Sequence, residues 1–169
     1  MAENSDWRRA FARQAQADLH ARTLILPHVA KGLPRCQELH FLQMACEKLV
    51  KAHLFSSKEV PGYVFSSHAV VAKHLPRILQ EYYRRQRSGK VMPDYMNKQM
   101  RAIARNIELL APAVTAGGQH VVNCEYPWSH GERVYAPADY DFTELTLTNQ
   151  PGATFLLKLL PIILDDLVR

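Results

Sequence analysis

Apolar residues recur at helical spacing over most of the chain and predict five helices. The first begins at Ser5, a residue type suited to cap a helix, and runs through residue 24 before Pro27 and the segment 32–34 break the chain. The second covers residues 34–55, and its apolar side marks it as the central packing helix: Leu39, Leu42, Ala45, Cys46, Leu49, Val50 and Leu54.

The second half of the chain predicts three further helices. Ser66 or Ser67 is placed to cap the third, and Pro76 either kinks that helix or divides it into two short ones. Asp94 caps the fourth, which ends at Pro112 and carries one apolar face: Met96, Met100, Ile103, Ile107 and Leu110. The fifth covers residues 153–168 and is interrupted by Pro161. These elements predict an all-α, up-and-down bundle of about five helices.

A long irregular segment, about residues 112–152, precedes the last helix. Glycines and prolines punctuate it, and only residues 121–122 and 140–147 have the composition of short strands. A loop of that length inside a compact domain is normally functional or part of an interface. We therefore predict one domain, residues 1–169, with this loop inserted before its last helix.

Composition agrees with one soluble domain. The chain has 169 residues, 47% hydrophobic and 22% charged, with a net charge of +5. Much of the positive charge gathers near the end of the third helix and along the fourth: Arg84, Arg85, Arg87, Lys90, Lys98, Arg101 and Arg105. Such a cluster either binds RNA or phosphate, or caps a helix end and keeps the chain soluble.

The cysteines and the N-terminus favour a reducing, cytoplasmic setting. The 3 cysteines form no CxxC pair, and residues 1–15 are too polar for a signal peptide. The longest apolar run, residues 155–164, is too short to span a membrane. Cys36 and His40 lie one helical turn apart, but no second close pair completes a zinc site, so no metal or cofactor is expected.

Three stretches resemble the HEPN family of helical, nucleotide-binding domains. Residues 41–53 contain an Ala-x-Glu-Lys-x-x-Lys-Ala core like that of the family's second helix. Ser67 and His68 are similar to its His-bearing segment. The third stretch is similar to the family's Arg-Tyr-Pro-Asp element, with Glu125 where many relatives have Arg: Glu125, Tyr126, Pro127 and Trp128.

The resemblance implies either a binding module or a metal-independent ribonuclease. Many relatives cleave RNA with an Arg-x4–6-His motif, in which His moves a proton and Arg stabilises developing phosphate charge. Arg105 and Asn106 resemble the start of that motif, but the positions where His should follow hold Leu110, Ala111 and Pro112. Arg35 and His40 fit the spacing on the second helix and are the candidate catalytic pair. Arg22 and His28 also fit, although Pro27 is expected to separate them.

The aromatic loop offers a second candidate surface. An exposed Trp128 beside Pro127, together with Tyr126, would stack on a base or anchor a partner. The alternative is that Tyr126 and Trp128 fasten the loop to the bundle. The same arginines of the third and fourth helices would supply phosphate contacts in the first case.

We therefore predict a non-catalytic HEPN-like module that binds nucleotide, RNA or a protein. The resemblance implies a homodimer and a nucleotidyltransferase partner protein, as in toxin–antitoxin or phage-defence pairs. A metal-independent ribonuclease and a purely structural interaction domain are the alternatives.

Overall fold

The computed structural model describes residues 3–57, 59–111, 122–142 and 151–169, and these form an all-α bundle. Its helices are α1 (Asn4–Val29), α2 (Arg35–Leu54), α3 (Val71–Gln86), α4 (Asp94–Leu109) and α5 (Pro151–Val168). Short 3₁₀ helices cover Gly62–Val64 and Pro137–Asp139, and two strands, β1 (Trp128–His130) and β2 (Arg133–Tyr135), pair antiparallel. The predicted fold class is confirmed.

α2 is the central element, as its apolar side predicted. It packs along α1 and also contacts α3, α4 and α5, while α3 and α4 form a second hairpin. Because neighbours surround α2, several of its polar side chains are buried as well: Glu38, Gln43, Glu47 and Lys51. A buried polar group is destabilising unless it is hydrogen-bonded or paired, so α2 needs partners from other elements.

The helix boundaries differ from prediction mainly at prolines. α1 continues through Pro27, α3 through Pro76 and α5 through Pro161, so none of the three ends its helix. Packing of each helix against its neighbours offsets the single hydrogen bond that a proline removes. α1 begins earlier than predicted, because Glu3 and Asp6 form a capping box, and Ser5 is not the cap.

The start of α3 was also predicted wrongly. The helix begins at Val71, and the hydroxyl of Ser67 accepts a hydrogen bond from the Ala69 N–H in the turn before it. Serine favours such local turns as readily as helix caps, so the residue type alone does not separate the two.

The segment between α4 and α5 places its strands elsewhere than predicted. β1 and β2 lie within residues 128–135, whereas Val122 and residues 140–142 are not strand; the rest of the predicted strands, residues 121 and 143–147, lies outside the described residues. Gly131 makes the hairpin turn possible, because its φ of 61° favours glycine.

Gly152 lets α5 approach α4 closely, and this leads to a stability prediction. A Cβ at that position would lie 2.6 Å from Met100 Cε and 3.0 Å from Gln99 Cβ, and the Gly152 N–H donates to Gln99 Oε1. We expect Gly152→Ala to destabilise the fold by about 1–3 kcal/mol, measured by urea unfolding. Gly62→Ala is the control, since a Cβ there meets nothing within 4 Å. Equal stability of the two variants would contradict this close approach.

Candidate functional site

A cationic cleft runs between α3 and α4. Four basic residues line it, and we call them the cationic quartet: Lys73, Arg77, Arg101 and Arg105. Each helix supplies two of them at a spacing of four residues, which places both on one face of that helix. The remaining lining consists of Ala72, Pro76 and Gln80, and the cleft encloses about 330 Å³.

Two hydrogen bonds between the helices fix the register of the cleft. At one end the Ala72 N–H donates to Glu108 Oε2 at 2.8 Å, and at the other Gln80 Nε2 donates to Asn97 Oδ1 at 2.6 Å. The start of α3 therefore lies beside the end of α4, as in any antiparallel hairpin. This register brings together two pairs of basic residues that are well separated along the chain.

No carboxylate of the described residues forms an ion pair with the quartet. Among those residues, no acidic side chain lines the cleft either. Glu108, the carboxylate at one end, already accepts the Ala72 N–H. Four cations facing one cleft produce a positive potential that favours a multiply charged anion.

His74 lies next to the quartet without adding to its charge at neutral pH. Burial, and then the charges of Lys73 and Arg77, lower the pKa of its imidazole. Its Nε2 lies 3.2 Å from the hydroxyl of Tyr63. Because lysine and arginine keep their charge far above neutral pH, the potential of the cleft does not depend on a histidine titration near pH 7.

The basic surface predicted from the sequence is only partly assembled. Arg101 and Arg105 line the cleft, whereas Arg84, Arg85 and Arg87 lie at the other end of α3 and are not among its lining residues. Arg85 instead lies over the Tyr82 ring, 5.1 Å from its centroid.

Sequence reasoning missed Lys73 and Arg77. Their spacing of four residues matches that of Arg101 and Arg105, and this repeat was the available signal. The expected kink or break at Pro76 obscured it, because it placed the two residues on separate helical segments. The continuous α3 puts them on one face.

The candidate catalytic pair faces the described part of the segment between α4 and α5, residues 122–142. His40 Nδ1 lies 3.5 Å from Glu125 Oε1, and Arg35 Nη1 lies 3.5 Å from the Asp141 carbonyl oxygen. Both side chains are therefore engaged by the segment between α4 and α5. This arrangement attaches the loop to α2, and neither residue lines the cationic cleft.

Arg22 and His28, the second Arg–His pair, lie on one helix but in different environments. Arg22 and His28 belong to the same helix, contrary to the expected break at Pro27. Arg22 is buried and paired with Glu38, whereas His28 is exposed in the last turn of α1. The charge of Arg22 is therefore used inside the bundle.

Tyr126 and Trp128 have opposite surroundings. Trp128 is only 3% exposed, so the expectation of an exposed indole is wrong; its ring packs with those of Tyr135, Tyr140 and Phe142. This aromatic cluster fastens the loop, in agreement with the alternative interpretation. Tyr126 is 61% exposed and does not share that role.

Residues from two of the three HEPN-like stretches meet in a polar network around the buried Glu47. Glu47 forms an ion pair with Lys51 Nζ at 2.8 Å and accepts a hydrogen bond from Gln43 Nε2 at 2.9 Å. Its Oε2 lies 3.1 Å from His68 Nδ1. Burial would raise the pKa of Glu47, but the bonds from Lys51, Gln43 and His68 hold it below its usual value. Glu47 is therefore ionised at neutral pH and connects α2 to the segment before α3.

Neither a metal site nor a membrane-spanning helix is found in the described part of the chain. Among those residues, no group of three or more His, Cys, Asp or Glu side chains is placed to hold a metal ion. Cys36 is buried, and His40, one helical turn away, faces Glu125. None of the helices in the described ranges combines the length and apolar character needed to cross a membrane.

The comparisons with known proteins do not indicate a function. No protein family, curated protein or solved structure gives a significant match. Helical bundles host many unrelated activities, so the fold alone does not indicate one. The cationic cleft is therefore the feature from which a function can be inferred.

Proposed function

We propose that the protein is a non-catalytic module that binds phosphate-bearing ligands, nucleotide or RNA, in the α3–α4 cleft. The observation that carries the proposal is the cationic quartet, whose charges have no carboxylate partner among the described residues. Arginine presents a planar fork of donors that matches phosphate oxygens, and lysine adds a compact charge.

The size and position of the cleft agree with this proposal. A volume of about 330 Å³ lies within the range of small-ligand sites, and the cleft is built on two rigid helices. The HEPN resemblance points to the same ligand class. Two of the residues that carry this resemblance, Glu47 and His68, connect α2 to the segment that leads into α3 and so help to position the cleft.

Binding without catalysis is the version that the side-chain positions support. Cleavage of RNA requires a proton-transfer group and a cation directed at one phosphate. Arg35 and His40 instead contact the loop between α4 and α5. His74 lies beside the quartet, but it is not one of the residues lining the cleft.

A charge-matched pair of variants tests the proposal. We expect the double variant Arg101→Ala, Arg105→Ala to weaken binding of ATP and of a labelled RNA octamer by about tenfold or more, since charge-assisted hydrogen bonds contribute about 1.5–3 kcal/mol each. Fluorescence anisotropy and calorimetry at low and at physiological ionic strength give the affinities.

The control removes the same charge from α3 outside the cleft. Arg84→Ala combined with Arg87→Ala lowers the net charge equally, and both residues are exposed. We expect a change of about twofold at most when both double variants are compared at physiological ionic strength, because charges farther from the ligand than the Debye length of about 8 Å are then screened. Equal losses of affinity in the two double variants would show that only net charge matters, and would reject the cleft as the site.

A further inference from the structure

An exposed aromatic ring, Tyr63, adjoins the cationic cleft at Lys73. Lys73, a member of the quartet, has its Nζ 6.0 Å from the centroid of the Tyr63 ring. Tyr63 lies in the 3₁₀ helix Gly62–Val64 and is 39% exposed. Lys73 therefore both lines the cationic cleft and contacts an exposed aromatic ring beside it.

Two further exposed rings, one of them only two residues from Tyr63 along the chain, pack against each other. Phe65, which follows the same 3₁₀ helix, is 56% exposed, and Trp7 of α1 is 39% exposed. Their ring centroids lie 4.9 Å apart in an edge-to-face arrangement. We call Trp7, Tyr63 and Phe65 the aromatic platform.

A buried ring holds two members of the platform, Trp7 and Phe65, in place. Phe55, at the end of α2, is almost fully buried and packs with both Phe65 at 5.4 Å and Trp7 at 6.2 Å between centroids. Tyr63 is held by its hydroxyl, which lies 3.2 Å from His74 Nε2. Aromatic rings that are held by contacts with their neighbours and remain partly exposed lose little conformational freedom when a ligand stacks on them.

Cations beside exposed rings are the combination that binds single-stranded nucleic acid. A basic groove follows the phosphates, while aromatic side chains stack on unpaired bases. A duplex has no free base face, and a free phosphate has no base, so neither would use the platform. An acidic peptide would use the charges but would not stack over the rings in this way.

We propose that the cleft and the aromatic platform together form a binding site for a single-stranded nucleic acid, with phosphates on the quartet and at least one base stacked on the platform. This inference rests on the proposed function and specifies its ligand. The shared residue Lys73 joins the two parts, because it lines the cleft and lies over Tyr63.

The test compares aromatic and cationic variants on the same probes. We expect Phe65→Ala and Tyr63→Ala each to weaken binding of a labelled RNA octamer by about fivefold or more, the effect of losing one stacked base. Tyr95→Ala is the matched control, since that ring is also exposed and belongs neither to the platform nor to the lining of the cleft. Phe65→Leu serves if the alanine variant does not fold.

Salt dependence separates stacking from phosphate binding. The slope of log affinity against log salt should stay unchanged in Phe65→Ala, whereas Arg101→Ala should reduce it by about 0.7 for each phosphate that the variant no longer neutralises. The octamer should also quench the fluorescence of Trp7; Trp128 is buried and supplies a constant background, so Trp7→Phe should abolish the quenching.

The outcomes distinguish the inference from the function on which it rests. Equal affinity for the octamer and its duplex, or a Phe65→Ala variant that binds like the wild type, would overturn the inference while leaving phosphate binding intact. Equal quenching by a poly-glutamate peptide would assign the site to an acidic protein instead. If neither ATP nor RNA binds at low salt, the proposed function fails as well.

Discussion

Replacement of Glu38 by alanine is expected to destabilise the fold by about 3–5 kcal/mol, measured by urea unfolding at neutral pH. Glu38 pairs with Arg22 between α2 and α1, and both side chains are almost fully buried. The alanine variant leaves the guanidinium without its counter-charge in a region with little water. Removing one partner therefore destabilises more than the pair itself contributes.

A double replacement controls for the burial of charge. In Arg22→Met, Glu38→Leu both charges are removed together, and apolar side chains of similar size fill the space. Most of the stability should return, because well-packed apolar residues replace buried ion pairs with little net change. If the double variant is as unstable as Glu38→Ala, the destabilisation comes from packing and not from the unpaired charge.

The second large effect is expected at Glu47. Glu47→Ala should also cost about 3–5 kcal/mol, because Lys51 would remain charged and buried and Gln43 would lose its acceptor. His68→Ala should cost only about 1 kcal/mol, since the imidazole is half exposed and loses one hydrogen bond. Equal destabilisation in these two variants would contradict the assignment of Glu47 as the centre of the network.

The contribution of Glu47 should also depend on pH in a defined direction. Its pKa in the folded protein lies below the ordinary value of 4.5. Its stabilising effect is therefore complete above about pH 4.5 and is lost as the pH falls through the lower folded pKa. The difference in unfolding free energy between the wild type and Glu47→Ala should accordingly shrink on acidification, and a constant difference would count against the network.

Several elements followed directly from local patterns in the chain. The apolar faces of α2 and α4 predicted both helices close to their observed ends, because helical periodicity is a local property. The central position of α2 followed from its apolar side. The prolines were less informative, since Pro27, Pro76 and Pro161 all lie inside helices that tertiary packing stabilises.

The surroundings of individual side chains could not be predicted in the same way. Tyr126 and Trp128 are two residues apart, yet one ring is exposed and the other is buried against Tyr135 and Phe142. Nothing local distinguishes them. The difference arises because β1 turns Trp128 towards rings supplied by residues further along the chain.

The sequence by itself determined the helical class, the order of the helices and the apolar side of α2, since each depends on spacing within one segment. Only the tertiary structure decided which charges face one another. The sequence predicted Arg101 and Arg105 as phosphate-binding candidates. The α3–α4 register places them beside Lys73 and Arg77 and away from Arg84. The physical reason is that a binding site depends on how helices are rotated and aligned, and long-range packing sets both.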